Sequence, residues 1–227
     1  MKYILFIAFI LSVVSCAKHD GYTLTGLVPE AWEGKPVFLV LDDTNQPHFI
    51  DSTKISGGKF KFQGKFEVPR YCTINIYLDP NDRQTRSKII NFSLFIDSTA
   101  VEATCNYSGK HPVFQISGSG TQTEYQNYLS EIQPMEDDRS KTFHAYGEAY
   151  YSTKDLAKAI DLAKLVTEKR LAIREAKMKY LKAHPESAIS VKIAQELSDR
   201  NSDLSLKEIE GLFTSLSPEM QNSEMGQ

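Results

Sequence analysis

The chain has 227 residues, of which 24% are charged and 41% hydrophobic, with a net charge of −3. That balance excludes collagen-like, wholly disordered and multispanning membrane proteins, and the length is ample for a sizeable core. The mild acidity speaks against a nucleic-acid partner, which needs a concentrated basic footprint.

Lys2 opens a leader, and the run from Tyr3 to Val14 carries no charge and is rich in Ile, Phe, Leu and Val. A basic start followed by about 7–15 apolar residues marks a secretory signal, too short for a stable spanning helix. The run ends Val13-Val14-Ser15-Cys16. An apolar and a small residue just before Cys resembles the lipobox of bacterial lipoproteins, whose signal is cut before a cysteine that is then acylated. The resemblance implies a signal peptide over 1–15, lipidation at Cys16 and a membrane anchor through the N-terminal lipid. Two acyl chains hold stably where one binds marginally. Residues 16–21 would form a short tether. The other reading is an ordinary secretory signal with a chance cysteine at its end. The expected location is the bacterial cell envelope, on the periplasmic side of either membrane or at the cell surface.

Eight of the ten phenylalanines beyond the leader lie between Phe38 and Phe114, and nine of the twelve glycines precede Thr121. Aromatic and β-branched residues punctuated by glycine are what short strands and tight turns need. Tyr22 to Val28 alternates, with Gly26 a candidate bulge. Pro36 to Leu41 is a buried apolar run. Phe49 to Ile55 leads into Gly57-Gly58, and Lys59 to Phe62 alternates strictly, a β-hairpin signal. Tyr71 to Leu78, Ile89 to Ile96, Val101 to Asn106 and Val113 to Ser117 follow. About eight short strands at close spacing predict an antiparallel sandwich over 22–118, and the lack of helical crossovers speaks against parallel pairing.

The period then changes, and 119–227 reads as a helical region. Thr121 or Thr123 can cap a helix carrying Tyr125, Tyr128, Leu129 and Ile132. Pro134 to about Tyr151 is polar and has no assignable period. Thr153 to Ala183 reads as one long helix, with Ala159, Leu162, Val166, Ile173, Ala176, Tyr180 and Ala183 on 3/4 spacing. His184-Pro185 stops it. Ser187 to Leu197 makes a shorter helix. Ser205 to Glu208 fits a capping box ahead of Ile209, Leu212, Phe213 and Leu216, and Ser217-Pro218 starts a final turn. The fold class is therefore α+β: an N-terminal antiparallel β-sandwich followed by a helical region.

Chemistry-bearing residues are sparse. Cys72 and Cys105 lie in predicted strands of an exported chain, where disulfides persist. They are a redox-active pair, a structural bridge, or two separate thiols acting as small hydrophobes, and the last is expected. His19, His48, His111, His144 and His184 show no metal-ligand spacing, so no zinc site is expected. Glu136-Asp137-Asp138 lacks the alternating ligands of a calcium loop and reads as a solvated loop. Lys154 to Lys182 holds nine basic and four acidic residues. That segment reads as a solvated helix face, with an anionic-membrane or docking face as the alternative. Ile-Asp-Ser-Thr occurs at 50–53 and 96–99. It is a strand end running into a turn, and it also resembles the acceptor motif of some bacterial O-glycosylation systems, making Ser52 and Ser98 candidate sites.

The lipobox, the first strand, Ile50 to Lys54 and Gly57 to Phe62 together resemble a particular bacterial module. It is the domain of unknown function DUF4369 at the N-terminus of anchored thiol-disulfide oxidoreductases of the thioredoxin and peroxiredoxin-like type. The resemblance continues through Ile116 to Gly120, His184 to Ser187 and Leu216 to Ser223. In that family a thioredoxin-like domain with Cys-x-x-Cys follows the Leu-Ser-Pro-Glu segment. This sequence has no Cys-x-x-Cys. No catalytic residue carries over, and neither enzymatic activity nor a cofactor is expected. The resemblance implies a binding or scaffolding role linked to such oxidoreductases, with a thioredoxin-fold protein as partner. A carbohydrate- or peptide-binding sandwich is the alternative, favoured if Trp32, Tyr71 and Tyr77 share an exposed face.

Overall fold

The structure is a computed structural model, and it describes residues 21–42, 48–79, 88–107, 111–199 and 203–226. Eight strands come first: β1 (Tyr22–Leu27), β2 (Pro36–Leu41), β3 (His48–Lys54), β4 (Lys59–Gly64), β5 (Arg70–Tyr77), β6 (Ile89–Ile96), β7 (Ala100–Asn106) and β8 (Val113–Ser117). They form two four-stranded sheets, ordered β4-β1-β7-β8 and β3-β2-β5-β6. Alternation decides which side chains face inward. Leu24, Phe60, Phe62, Val101 and Ala103 of the first sheet meet Val37, Leu39, Ile74, Ile76, Leu94 and Ile96 of the second, all buried. The expected sandwich is present.

Three features of the sandwich differ from expectation. Strand β1 pairs antiparallel with β4 but parallel with β7, from Thr23 opposite Ala100 to Leu27 opposite Thr104. Among the described residues no α-helix makes the crossover. The chain between β1 and β7 passes through the other sheet and returns, which a count of helical connections cannot reveal. The second difference is at Gly57-Gly58. Both glycines have positive φ, 59° and 68°, and Ser56 and Lys59 exchange backbone hydrogen bonds, as a tight turn with left-handed central residues requires. Yet β3 pairs with β2 and β4 with β1. The turn is a corner between sheets and not a hairpin. Gly26 is not a bulge either. It sits in regular register opposite Phe60, and a Cβ there would lie 2.0 Å from the Phe60 ring. The glycine makes room for a buried aromatic, and the register shift occurs instead between Leu39 and Val40.

Among the described residues the α-helices are α1 (Gly120–Gly147), α2 (Leu156–Ala183), α3 (Ala188–Leu197), α4 (Leu206–Thr214) and α5 (Pro218–Asn222), with a π-helical segment at Glu148–Ser152 and a 3-10 turn at Glu30–Trp32. The polar stretch after Pro134 is thus helical, and α1 runs through Pro134 without stopping. Ser119, two residues before Thr121, is the N-cap in place of either threonine, and its side chain accepts from Gln122 N. The long second helix begins at Leu156 behind an Asp155 cap, three residues later than expected, and ends as expected at Ala183 with His184 as its C-cap. The Ser205/Glu208 capping box and the Ser217-Pro218 start are both formed.

A second core joins the layers. Phe95 and the half-buried Tyr71, on the outer face of the second sheet, pack with Tyr125, Tyr128, Ile132, Ile173, Leu181, Ile189, Val191 and Ile193. Only the start of α1 rests on the sheet. Beyond it, α1 and α2 form an antiparallel hairpin, stitched by Lys169 to Asp138 and Lys177 to Glu136. With 28 residues, α2 is about 42 Å long. No described helix is long and apolar enough to cross a membrane.

Candidate functional site

The helical arm is set on the sandwich by a polar clamp at Ile96 to Thr99. The Asp97 carboxylate accepts hydrogen bonds from Ser119 Oγ (2.7 Å), Thr121 N (3.3 Å) and the Thr99 hydroxyl. Two backbone or capping donors at a helix start thus meet one anion, as the helix N-terminus favours. Ser119 Oγ accepts from Gln122 N at 3.0 Å, and Gln122 Oε1 accepts from Phe95 N at 2.8 Å. Phe95 lies on β6, an edge strand, so this buried glutamine covers an edge N–H that would otherwise be open to pairing.

An aromatic seam continues from the clamp. Ring centroids step from Tyr71 to Phe95 (5.1 Å), Phe95 to Tyr125 (5.1 Å), Tyr125 to Tyr128 (6.2 Å), Tyr128 to Tyr180 (4.7 Å) and Tyr180 to His184 (4.4 Å). Lys192 Nζ sits 3.8 Å from the Tyr71 ring centroid. Burial pushes the hydroxyls of Tyr125 and Tyr128 well above the usual tyrosine range. Burial does the same to Tyr180, helped by its 2.8 Å hydrogen bond to Glu124. Such hydroxyls are poor proton carriers near neutrality, and the seam is a packing device.

Beside the seam lies a cleft of about 320 Å³ between α1, α2 and α3, lined by Glu136, Arg139, Arg174, Lys177, Glu196 and Asp203 among others. Its charges answer one another. Arg139 meets Glu136 at 3.0 Å, and Lys177 lies 3.4 Å from Glu136 and 3.2 Å from Glu196. Arg170 and Arg174 both reach Asp203, at 3.1 and 3.0 Å. Cations already held by carboxylates offer little to an anionic ligand. The cleft works as a latch that ties three helices at the base of the arm.

The far end of the arm is different. Phe143, Tyr146, Tyr150 and Tyr151 form a chain of ring contacts at 6.0, 5.8 and 4.8 Å. Phe143 is 53% exposed, Tyr150 43% and Tyr151 69%. The chain passes through the π-helical segment and turns at Lys154, which has φ 58°, uncommon for a residue with a side chain. π-Segments recur at functional positions because the extra residue re-aims side chains. Here they turn tyrosines outward. A contiguous exposed aromatic surface marks an interaction site more than an exposed single residue does.

Of the residues singled out in the sequence, Cys16 lies outside the described residues. Cys72 is buried on β5 and Cys105 half-buried on β7; they belong to opposite sheets, both against the sandwich core and both thiols. Burial raises the Cys105 thiol above its ordinary value, away from a reactive thiolate. Ser52 and Ser98 are both exposed, but in different settings. Ser52 stands within β3 and not at a strand end, whereas Ser98 belongs to the Asp97 clamp and donates to Phe66 O at 3.4 Å. Trp32 is buried in the sandwich, while Tyr71 and Tyr77 face outward from β5, so the three share no exposed face. Glu136, Asp137 and Asp138 are on α1 and not in a loop; Glu136 and Asp138 pair with α2. Among the described residues no group of three His, Cys, Asp or Glu could hold a metal. On the solvated face of α2, Asp161 and Lys164 pair at 3.6 Å. The aromatic tip went unseen in the sequence, where Tyr146, Tyr150 and Tyr151 gave the only signal, a tyrosine cluster in a stretch of no assigned structure.

Residues 22–125 match the family described as a domain of unknown function, DUF4369. The matched segment ends at Tyr125, so it takes in the sandwich, the Asp97 clamp and the first turn of the arm. No curated protein is similar to the chain.

Proposed function

We propose, from a DUF4369 sandwich that carries a helical arm as the premise, that this chain is an envelope-anchored lipoprotein with a binding or scaffolding role. The role is linked to thiol-disulfide oxidoreductase systems, and a thioredoxin-fold protein is the partner. The observation that carries the reading is the exposed aromatic tip of the arm, Phe143, Tyr150 and Tyr151, held away from the sandwich by α1 and α2. Rings of this kind give large contact area at low entropic cost. The lipobox-like Cys16 supplies the anchor. A role in catalysis is not part of this reading: thiol exchange needs an exposed thiolate with a resolving cysteine nearby, and Cys72 and Cys105 lie against the sandwich core.

The test is photo-cross-linking in the envelope from a reactive analogue at Tyr151, with Lys54 on β3 as the control position. Recovery of a thioredoxin-fold protein from Tyr151 and not from Lys54 is expected. Equal yields from both positions, or none from Tyr151, would overturn the scaffold reading. The anchor is checked separately. Cys16→Ala is expected to abolish fatty-acid labelling and release the chain to the soluble fraction.

A further inference from the structure

Helix α2 carries two apolar stripes. Ala159, Leu162, Val166, Ile173, Ala176 and Tyr180 form the first, buried or half-buried along the seam with α1. Leu156, Ile160, Ala163, Thr167 and Leu171 form the second, about a third of a turn round the helix, where 3/4 spacing keeps them in line. This second stripe is exposed: Leu156 is 59% accessible, Ile160 58% and Leu171 36%. Thr167 donates its hydroxyl to Ala163 O at 3.0 Å, so even the polar member satisfies itself on the helix. Helix α2 packs against α1 and α3 through the first stripe and its buried neighbours. The second has no use within the hairpin.

The stripe is complementary to itself. When a second α2 is laid antiparallel with Ile160 opposite Leu171 of the second copy, the small residues Ala163 and Thr167 fall at the centre, where backbones must approach closely. Lys164 then stands opposite Glu168 of the second copy, on one flank, and the two-fold axis repeats each contact. Self-match of this kind is the requirement of an isologous two-fold interface, and an unrelated partner would impose no such symmetry. Lys164 is available for it: its pairing with Asp161 joins two side chains 70% and 79% exposed, an arrangement of little energetic weight.

We infer that the exposed α2 stripe is the docking face for a second copy of this chain, two arms meeting as an antiparallel four-helix assembly. The face is separate from the aromatic tip, so the inference stands or falls independently of the proposed function. Sedimentation equilibrium of the full chain in detergent tests it. A concentration-dependent dimer is expected. Ile160→Asp and Leu171→Asp should each raise the dissociation constant about ten-fold or more by burying a charge at the contact. Helical circular dichroism should be unchanged, because both side chains are exposed in the monomer. Lys164→Glu and Glu168→Lys should each weaken the dimer, and the charge-swapped double variant should recover it, since coupled neighbours are not additive. A chain that stays monomeric overturns the inference, whether or not it binds vesicles or another protein. So does a dimer indifferent to Ile160→Asp, or a double variant no tighter than the single ones.

Discussion

At the residue scale, one carboxylate positions the arm. Asp97 gathers Ser119, Thr121 and Thr99, so removing it leaves a helix start and a capping hydroxyl without their acceptor. Asp97→Ala is expected to cost about 1–2 kcal/mol in denaturant unfolding, the range of a lost cap. Asp97→Asn should recover part of it, because the amide oxygen still accepts. A cost below the error of the measurement would mean that the clamp is incidental. The tyrosines make a second prediction. Burial, with the charges of Cys72 and Asp51 nearby, pushes Tyr22 up to about 12, and Tyr125, Tyr128 and Tyr180 are also raised. The unfolded chain releases these protons near its ordinary value of about 10. The stabilisation from keeping them neutral is therefore complete below that pH and is lost as pH climbs through the folded values. Ultraviolet titration should show a late-ionising group of tyrosines coincident with alkaline unfolding, and a single ordinary titration of all eleven would contradict it.

At the element scale, Pro134 sits inside α1, exposed, in a helix that continues for three further turns. A proline there lacks one N–H donor and crowds the carbonyl four residues back. Pro134→Ala should raise stability by about 1–3 kcal/mol, read as a higher denaturant midpoint. No gain would mean that the ring makes packing contacts worth the lost bond. The same segment shows where local reading fails. Pro36–Leu41, Ile89–Ile96 and Val113–Ser117 are legible as strands residue for residue, because alternation and turn residues act within a few positions. The capping box at Ser205 is equally local. The stretch 134–151 is not legible, since its helix is held by residues far along the chain: Asp138 by Lys169 and Glu136 by Lys177. Sheet membership of β3 and β4 escapes for the same reason. Of the candidate site, the thiols and serines were visible as residue types, but the aromatic tip depends on a π-helical turn that no spacing announces.

At the scale of the whole molecule, the two cores share one sheet. Ile74 and Leu94 face into the sandwich while Tyr71 and Phe95, on the same strands, face the helices. The C-terminal segment closes the second core: Met220 and Met225 are buried, Gln195 donates to Met225 O at 2.7 Å, and buried Arg70 of β5 pairs with Glu224. Elements that share strands should melt together. The single tryptophan, Trp32, reports the sandwich, and far-ultraviolet dichroism reports the helices. Their denaturant transitions should coincide, and separated midpoints would show two independent units. The parallel pairing of β1 bears on something else, the response of the molecule to being pulled. A load entering at Gly21 reaches a strand bonded along both edges, with six register partners on β4 and five on β7. Drawn along its own axis, such a strand must slide past both neighbours at once, so the backbone bonds are loaded in concert and not broken one by one. Were the chain tugged by a moving surface at that end, the strand first to feel the force is one built to resist shear, and the helical arm on the opposite sheet would keep its position.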